Sequence, residues 1–445
     1  MHISKECSLG VGLGFLFGSL FAVNTATSIV LIFIAAIWLW LTCSIEVGSI
    51  AALAALCAVP DIGTGAAITV AFGNTTIWFL IFSMVLTYAL SSSGVLRRIA
   101  LYFIDNPLAK RNSYWFMGCY FLAILALGSF MAPTVTFVLF FGLIKEIYEL
   151  LKLEPGNKMA RNMMIGTGFF ASISCAMTPI AHTFPLMAIG YYESLIGATI
   201  PYTAYMAYSL PVCGLIALAA YLLLIIGVPK HCDFSNVSFA KSKWTFNEIV
   251  ATIIFACVVL CWLVVGIWPT TFTVLNVAGT VWPAMIGVTA LSAIGILNVK
   301  EAFSKGVAWP AIILCGTTLA LGKYLTAEEY GIISNISQYF TNVNSGWILP
   351  IIIGFSVILT NLMSNIVTTT VSFNLFVPTI VATGMVSPVL ATILIGVGAS
   401  LAYALPSSIA HIALAGSSGW VNANDMMKYG SIMMIISMIV MGVFI

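Results

Sequence analysis

Residues 330–424 hold no aspartate, glutamate, lysine or arginine, an uncharged run of 95 positions. A soluble domain covers its surface with charge, roughly a quarter of its residues. In this chain 7% of 445 residues are charged and 61% are hydrophobic. Lipid must therefore be the solvent for most of it. Apolar runs of about 20 residues recur along the chain, the length a helix needs to cross a hydrocarbon core of about 30 Å. The roughly ten-residue alternating segments of a transmembrane barrel are absent. The chain reads as an all-α polytopic membrane protein.

Several function classes fall away on composition. The net charge of +2 comes without a dense basic cluster, which argues against a nucleic-acid partner. The ten cysteines are scattered, mostly inside apolar runs, with no CxxC pair. They read as small packing residues; Cys257 and Cys261 lack a nearby histidine to make a metal site. The N-terminal stretch MHISKECSLGVGLGFLFGSLFAVN has the form of a signal peptide, with no effect on the topology of the later spans.

Helices are expected near 9–23, 27–42, 48–59, 75–92, 202–226, 247–267, 275–297, 309–324 and 424–445. Surface helices are expected at 96–109 and 328–340. Segments 114–151 and 347–382 differ from ordinary spans, because turn-prone residues break each one midway, at GSFMAPTVT and TNLMSNIVTTT. Each reads as a helical hairpin that enters and leaves on one side. Non-helical backbone at its tip is tolerated only when buried in protein or lining a wet cavity. Segments 157–189 and 388–413 each follow a hairpin and read as broken helices. With the N-terminus in the cytoplasm and both hairpins re-entrant, fifteen of the sixteen lysines and arginines fall inside, and only Lys323 falls outside. That gives about eleven spans, with one hairpin opening to each side.

The same order of elements occurs twice. At a shift of 231, IWFLIFSMVLTYAL lies on AWPAIILCGTTLAL, pairing Trp78 with Trp309 and Thr87 with Thr318. At 232, MAPTVT lies on MSNIVT; at 229, the IAH of residues 180–182 lies on that of residues 409–411. The chain thus divides into an N-terminal helix (1–26), a first repeat (27–228), a cytoplasmic linker (229–246) and a second repeat (247–445). The second copy begins an odd number of spans after the first, so the repeats are inverted. Inverted repeats with broken helices mark secondary transporters that bind substrate near the bilayer midplane.

Four histidines are present; His2 and His231 sit in polar ends, whereas His182 and His411 are repeat mates in long uncharged stretches. Ionisable groups within membranes are functional more often than elsewhere, and these two are expected to face a common pocket. Four half-helices converge where two tips and two breaks meet. Their N-termini offer unpaired N–H groups and positive potential to an anion. Thr134, Thr136, Ser364, Asn365 and Thr368 add neutral donors. A lone intramembrane threonine more often bonds the preceding turn of its own helix.

The elements NTTIWFLIFSMVLTYALSSSGVLRRIA, TNLMSNIVTTTVSFNLFVP and ALPSSIAHIALAGSSGWVNANDMMKYG resemble the divalent anion/sodium symporter family, solute carrier family thirteen. The likeness covers most of the chain. It implies a homodimer with a fixed scaffold and an elevator-like transport domain. It also implies di- or tricarboxylate substrates, or sulfate, usually moved with sodium held largely by backbone carbonyls, here near Ala132, Pro133, Ser364 and Asn365. Members carry Ser-Asn-Thr at each tip and a Thr-Pro break. This chain has Ala132-Pro133-Thr134 and Ser364-Asn365-Ile366 at the tips, and Ile-Ala-His at both breaks.

These departures suggest a sodium-independent exchanger in which His182 and His411 replace sodium as the balancing positive charge. A sodium- or proton-coupled symporter and an anion channel are the alternatives. An embedded enzyme would need positioned carboxylates or a metal set, and the acidic residues fall near span ends. Two histidines alone make a poor metal site. No cofactor is expected beyond possible sodium. The partners are a small anion and membrane lipid, in a bacterial inner membrane.

Overall fold

The computed structural model describes residues 5–180, 182–230, 232, 234, 237, 239, 243–268, 271–337, 344–406 and 408–445. His2, Ala181, His231 and Lys241 lie outside the described residues, as does the end of the expected surface helix at 328–340.

Among the described residues the structure is helical and has no strand. The first half runs α1 (Lys5–Ser19), α2 (Thr25–Thr42), α3 (Ile45–Cys57), α4 (Gly63–Phe72), α5 (Thr75–Ser92), α6 (Val95–Ile104), α7 (Ser113–Gly128), α8 (Pro133–Leu150), α9 (Lys158–Met177), α10 (Thr183–Ile196) and α11 (Tyr202–Ile225). The second half runs α12 (Phe246–Ile267), α13 (Thr273–Ala278), α14 (Val281–Ala293), α15 (Val299–Glu301), α16 (Trp309–Leu325), α17 (Ile332–Ser337), α18 (Ser345–Leu362), α19 (Asn365–Thr383), α20 (Pro388–Ser400), α21 (Ala410–Gly416) and α22 (Ala423–Val443). By length and composition, α2, α5, α11, α12, α18, α19 and α22 can each cross a membrane. An integral, multi-pass membrane protein follows.

Both long broken segments fold back on themselves. In the first, the Tyr120 hydroxyl donates to the Phe140 carbonyl at 3.2 Å and the two rings meet at 5.4 Å. Those partners stand at equal distances on either side of the 129–132 break, which requires antiparallel arms. In the second, Ser356 bonds Ser372 at 3.3 Å, symmetric about Ser364. Helix α7, the first arm of the first hairpin, has 16 residues, and α20, the first half of the second broken helix, has 13; both are too short to span about 30 Å at 1.5 Å per residue.

The packing repeats with the sequence. Helices α7 and α8 both pack on α9, as α18 and α19 both pack on α20. The later half-helices then change partners: α10 lies against α19 and α20, and α21 against α8 and α9. Each repeat therefore inserts one half-helix into the other's hairpin, which brings both breaks to the middle of the fold.

Two expectations change. The single helix expected at 275–297 is two, α13 and α14, separated at Gly279, whose φ of 73° lies in the left-handed region. Segment 60–74, outside every expected helix, contains α4. Its glycine- and alanine-rich sequence buries Ala67 and Ala71. Facing it on α16, Gly316 leaves the space that Phe72 fills; a Cβ there would stand 2.6 Å from the Phe72 ring.

Candidate functional site

Eight half-helices make up the two hairpins and two broken helices, and their N-termini fall into two sets. The four that begin away from the breaks are capped by their own side chains: Asn112 for α7, Asn157 for α9, Asn344 for α18 and Ser387 for α20. The four that begin at the breaks, α8, α10, α19 and α21, have no side-chain cap. Ser364 stands at the N-cap of α19, and its hydroxyl makes no capping bond. A first turn without a cap leaves several backbone N–H groups unsatisfied. In the longer helices, these donors combine with the positive end of the helix dipole to favour an anion.

A cavity of about 260 Å³ opens at one such start, lined by Ser364, Asn365 and Ile366 of the second hairpin tip, Pro406, Ser408, Ile409 and Ala410 of the second break, and Phe184 in the first turn of α10. Among the described residues, no charged side chain lines it. Buried polar atoms are normally paired, and exceptions call for an explanation. Among the described residues five side chains hold a buried, unpartnered nitrogen or oxygen: Ser113, Thr318, Asn365, Thr368 and His411. Asn365, 1% exposed, leaves both its amide nitrogen and its amide oxygen without a partner. Thr368 stands one turn further along α19.

The remaining sequence-derived residues separate. Thr136, the repeat mate of Thr368, bonds back to the Ala132 carbonyl at 3.2 Å, the local bond expected of a lone threonine. Thr134 is half-buried in the first turn of α8, and neither threonine lines the cavity. Ala132 and Pro133 form the N-cap and first residue of α8. Among the described residues, no three histidine, cysteine or acidic side chains group to hold a metal ion.

His182 and His411 are both buried, and neither lines the cavity. Their environments differ. His182 is the N-cap residue of α10. Its Nε2 meets the Gly128 carbonyl at 2.8 Å, so this nitrogen donates, and Nδ1 faces the Cys175 thiol at 3.0 Å. The neighbouring Thr178 hydroxyl donates to the Ser129 carbonyl. The first break is thereby tied to the end of its own hairpin arm.

His411 reaches into the other repeat, where its Nε2 lies 2.8 Å from the Ser172 hydroxyl. That hydroxyl donates its one hydrogen to the Ala402 carbonyl at 2.6 Å. Nε2 must therefore donate to Ser172, which fixes the tautomer. Nδ1 is left with no hydrogen bond, although the Gly168 carbonyl lies near the ring. Phe137 of α8 covers one side, 6.2 Å between ring centres.

Two positioning residues escaped the sequence reading. Ser172 is one. The other is Asn361, whose Oδ1 accepts from the Tyr403 and Ala404 amides at 2.7 and 2.9 Å. Its Nδ2 donates to the Leu401 and Val357 carbonyls at 2.9 and 2.8 Å. Asn361 thus supplies the hydrogen bonds that an unwound backbone in lipid would lack. Its place in TNLMSN, just before the tip, was the available signal; Ser172 had none.

Broken helices from two repeats, interleaved around uncapped helix starts in a charge-poor cavity, define a membrane transporter. Residues 31–396 match the model of the citrate transporter family, and the chain belongs to that family. The match agrees with the resemblance to di- and tricarboxylate transporters. The chain is 24% identical over 345 residues to an uncharacterized transporter of Haemophilus influenzae, covering 75% of this chain and 73% of that protein. It is also 24% identical over 402 residues to the sodium-dependent dicarboxylate transporter SdcS of Staphylococcus saprophyticus, covering 83% and 75% of the two chains. The crystal structure of the Alcanivorax borkumensis YdaH transporter, described as having an unusual topology, shares the fold with a TM-score of 0.58. That match has 11% identity and covers 85% of this chain and 86% of that one.

Proposed function

We propose that the protein is a secondary active transporter of small divalent anions, di- or tricarboxylates, that binds them in the cavity between the second hairpin tip and the second break. One observation carries this reading: Asn365 and Thr368 hold unpartnered polar atoms at the uncapped start of α19. A carboxylate there receives backbone N–H groups, the Asn365 amide and the Ser364 hydroxyl, with no basic side chain needed. The volume of about 260 Å³ suits a small dianion. The family match and the printed name of SdcS support this substrate class.

Exchange without sodium is the coupling we favour, and the histidines do not contribute equally to it. Protonating His182 turns its contact with the Cys175 thiol around, whereas His411 has Nδ1 free to take a proton. A bound dianion favours the imidazolium; emptying the site leaves a buried charge that is costly to return across the membrane. Two copies of the chain would then form a homodimer, each moving an elevator-like transport domain against a fixed scaffold, in a bacterial inner membrane with the N-terminus inside. A sodium-coupled mode is the second reading, because SdcS is named as sodium-dependent and backbone carbonyls at the breaks can serve a cation.

Competition binding of succinate, malate, citrate, tartrate and sulfate to the purified protein, with and without sodium, tests the assignment. Binding of at least one carboxylate, weakened at least about tenfold in Asn365→Ala, is expected. No affinity for any of the five, or affinity unchanged in the variant, overturns it.

A further inference from the structure

A second cavity, of about 970 Å³, lies on the first repeat between α7 and α11, well separated in its lining from the proposed substrate site. Its two ends differ in chemistry. Arg111 and Lys230 stand at one, and Phe121, Leu125 and Phe170 line the other. The Ser113 amide bonds the Lys230 carbonyl at 3.1 Å, which brings the Lys230 segment to the start of α7 beside Arg111.

Both cations are exposed, and neither forms an ion pair among the described residues. The adjacent Lys110, by contrast, is neutralised by Asp105 at 2.6 Å. Among the described residues, no acidic side chain lines the cavity.

Its shape is that of a trough along α7. From its N-cap Asn112 to Leu125 the lining follows α7 over a rise of thirteen residues, about 20 Å of helix, against about 15 Å for half the hydrocarbon core. Glycines hollow both walls: Gly214 has nothing within 4 Å of where a Cβ would stand, and Gly118 faces only the Tyr221 ring. Leu122 and Leu218 at the rim are both 52% exposed, as lipid-facing residues are.

A second copy of the chain is a poorer occupant. A two-fold interface over this face would bury Arg111 and Lys230 with no acid in the patch to meet them. Two unpaired cations at the end of an apolar trough suit a phosphate headgroup with an acyl chain below it. We propose that this groove holds one anionic phospholipid, its phosphate between Arg111 and Lys230 and a chain along Gly118, Gly214 and Leu125.

The full-length protein in nanodiscs of equal phosphatidylglycerol and phosphatidylcholine provides the test, with retained lipid read by native mass spectrometry. Phosphatidylglycerol is expected to be enriched, falling about fivefold for each charge removed in Arg111→Gln and Lys230→Gln. Gly214→Phe, which keeps both charges and fills the trough, should release the lipid while the thermal midpoint holds. Three results each overturn the proposal: unchanged phosphatidylglycerol enrichment in the double charge variant, displacement of the lipid by inorganic phosphate alone, or loss of a dimer rather than of lipid in Gly214→Phe.

Discussion

Thr136 and Thr368 show how one residue type can be used differently at equivalent places. Thr136 spends its hydroxyl on its own helix, while the side chains of its mate Thr368 and of Asn365, one turn earlier, have no partner among the described residues. Asn365→Ala therefore removes no intramolecular bond. The thermal midpoint should stay within a degree or so, while dicarboxylate affinity falls at least about tenfold, the worth of one bond to a charged group. Titration calorimetry beside a melting curve separates the two. His411 carries the second residue-level prediction. If its free Nδ1 takes up the balancing proton, transport falls as pH rises and the proton is lost; His411→Gln should flatten that profile. Ser172→Ala, which frees the tautomer without removing the imidazole, should displace the profile rather than abolish it. A pH profile identical across all three proteins would remove the imidazole from the coupling scheme.

At the scale of elements, the hairpins were legible because small and polar residues interrupt two long apolar runs and do so twice in register. The starts of α8 and α19, at Pro133 and Asn365, keep the 232-residue offset. The histidine offset is kept less well: His182 precedes its helix, whereas His411 lies inside α21. That difference turns one ring toward its own hairpin and the other toward the opposite repeat, which no one-dimensional match conveys. Helix α4 stayed hidden because alanine and glycine carry little periodic signal, and its burial depends on α3 and α16. Ser172 was invisible for a related reason, since its imidazole partner is 239 residues away. Asn361 binds four backbone groups, one in its own helix and three in the second break. Asn361→Leu leaves three of them, those of the unwound segment, unsatisfied at about 1–3 kcal/mol each. A large fall in thermal midpoint is expected, with lost transport; a melting curve like that of the native protein would show that water replaces the amide.

For the molecule as a whole, interleaved repeats mean that neither half completes the site alone. Phe184 of the first repeat and Asn365 of the second line the same small space. Proteoliposomes address the coupling at this scale. An exchanger takes up labelled carboxylate several-fold faster when loaded inside with unlabelled carboxylate; a symporter responds to an imposed sodium or proton gradient with the lumen empty. Equal uptake with and without internal substrate would exclude exchange.

The lack of lysine and arginine among the described residues lining the cavity also bears on how an anion bound there, as proposed, would depart. Two opposite ions attract in inverse proportion to distance, so a cationic cradle would drag on an escaping dianion for many ångströms. The pull of oriented peptide groups dies away within about one helical turn. A cradle of that kind releases what it holds after a short displacement, and so favours rapid turnover over retention.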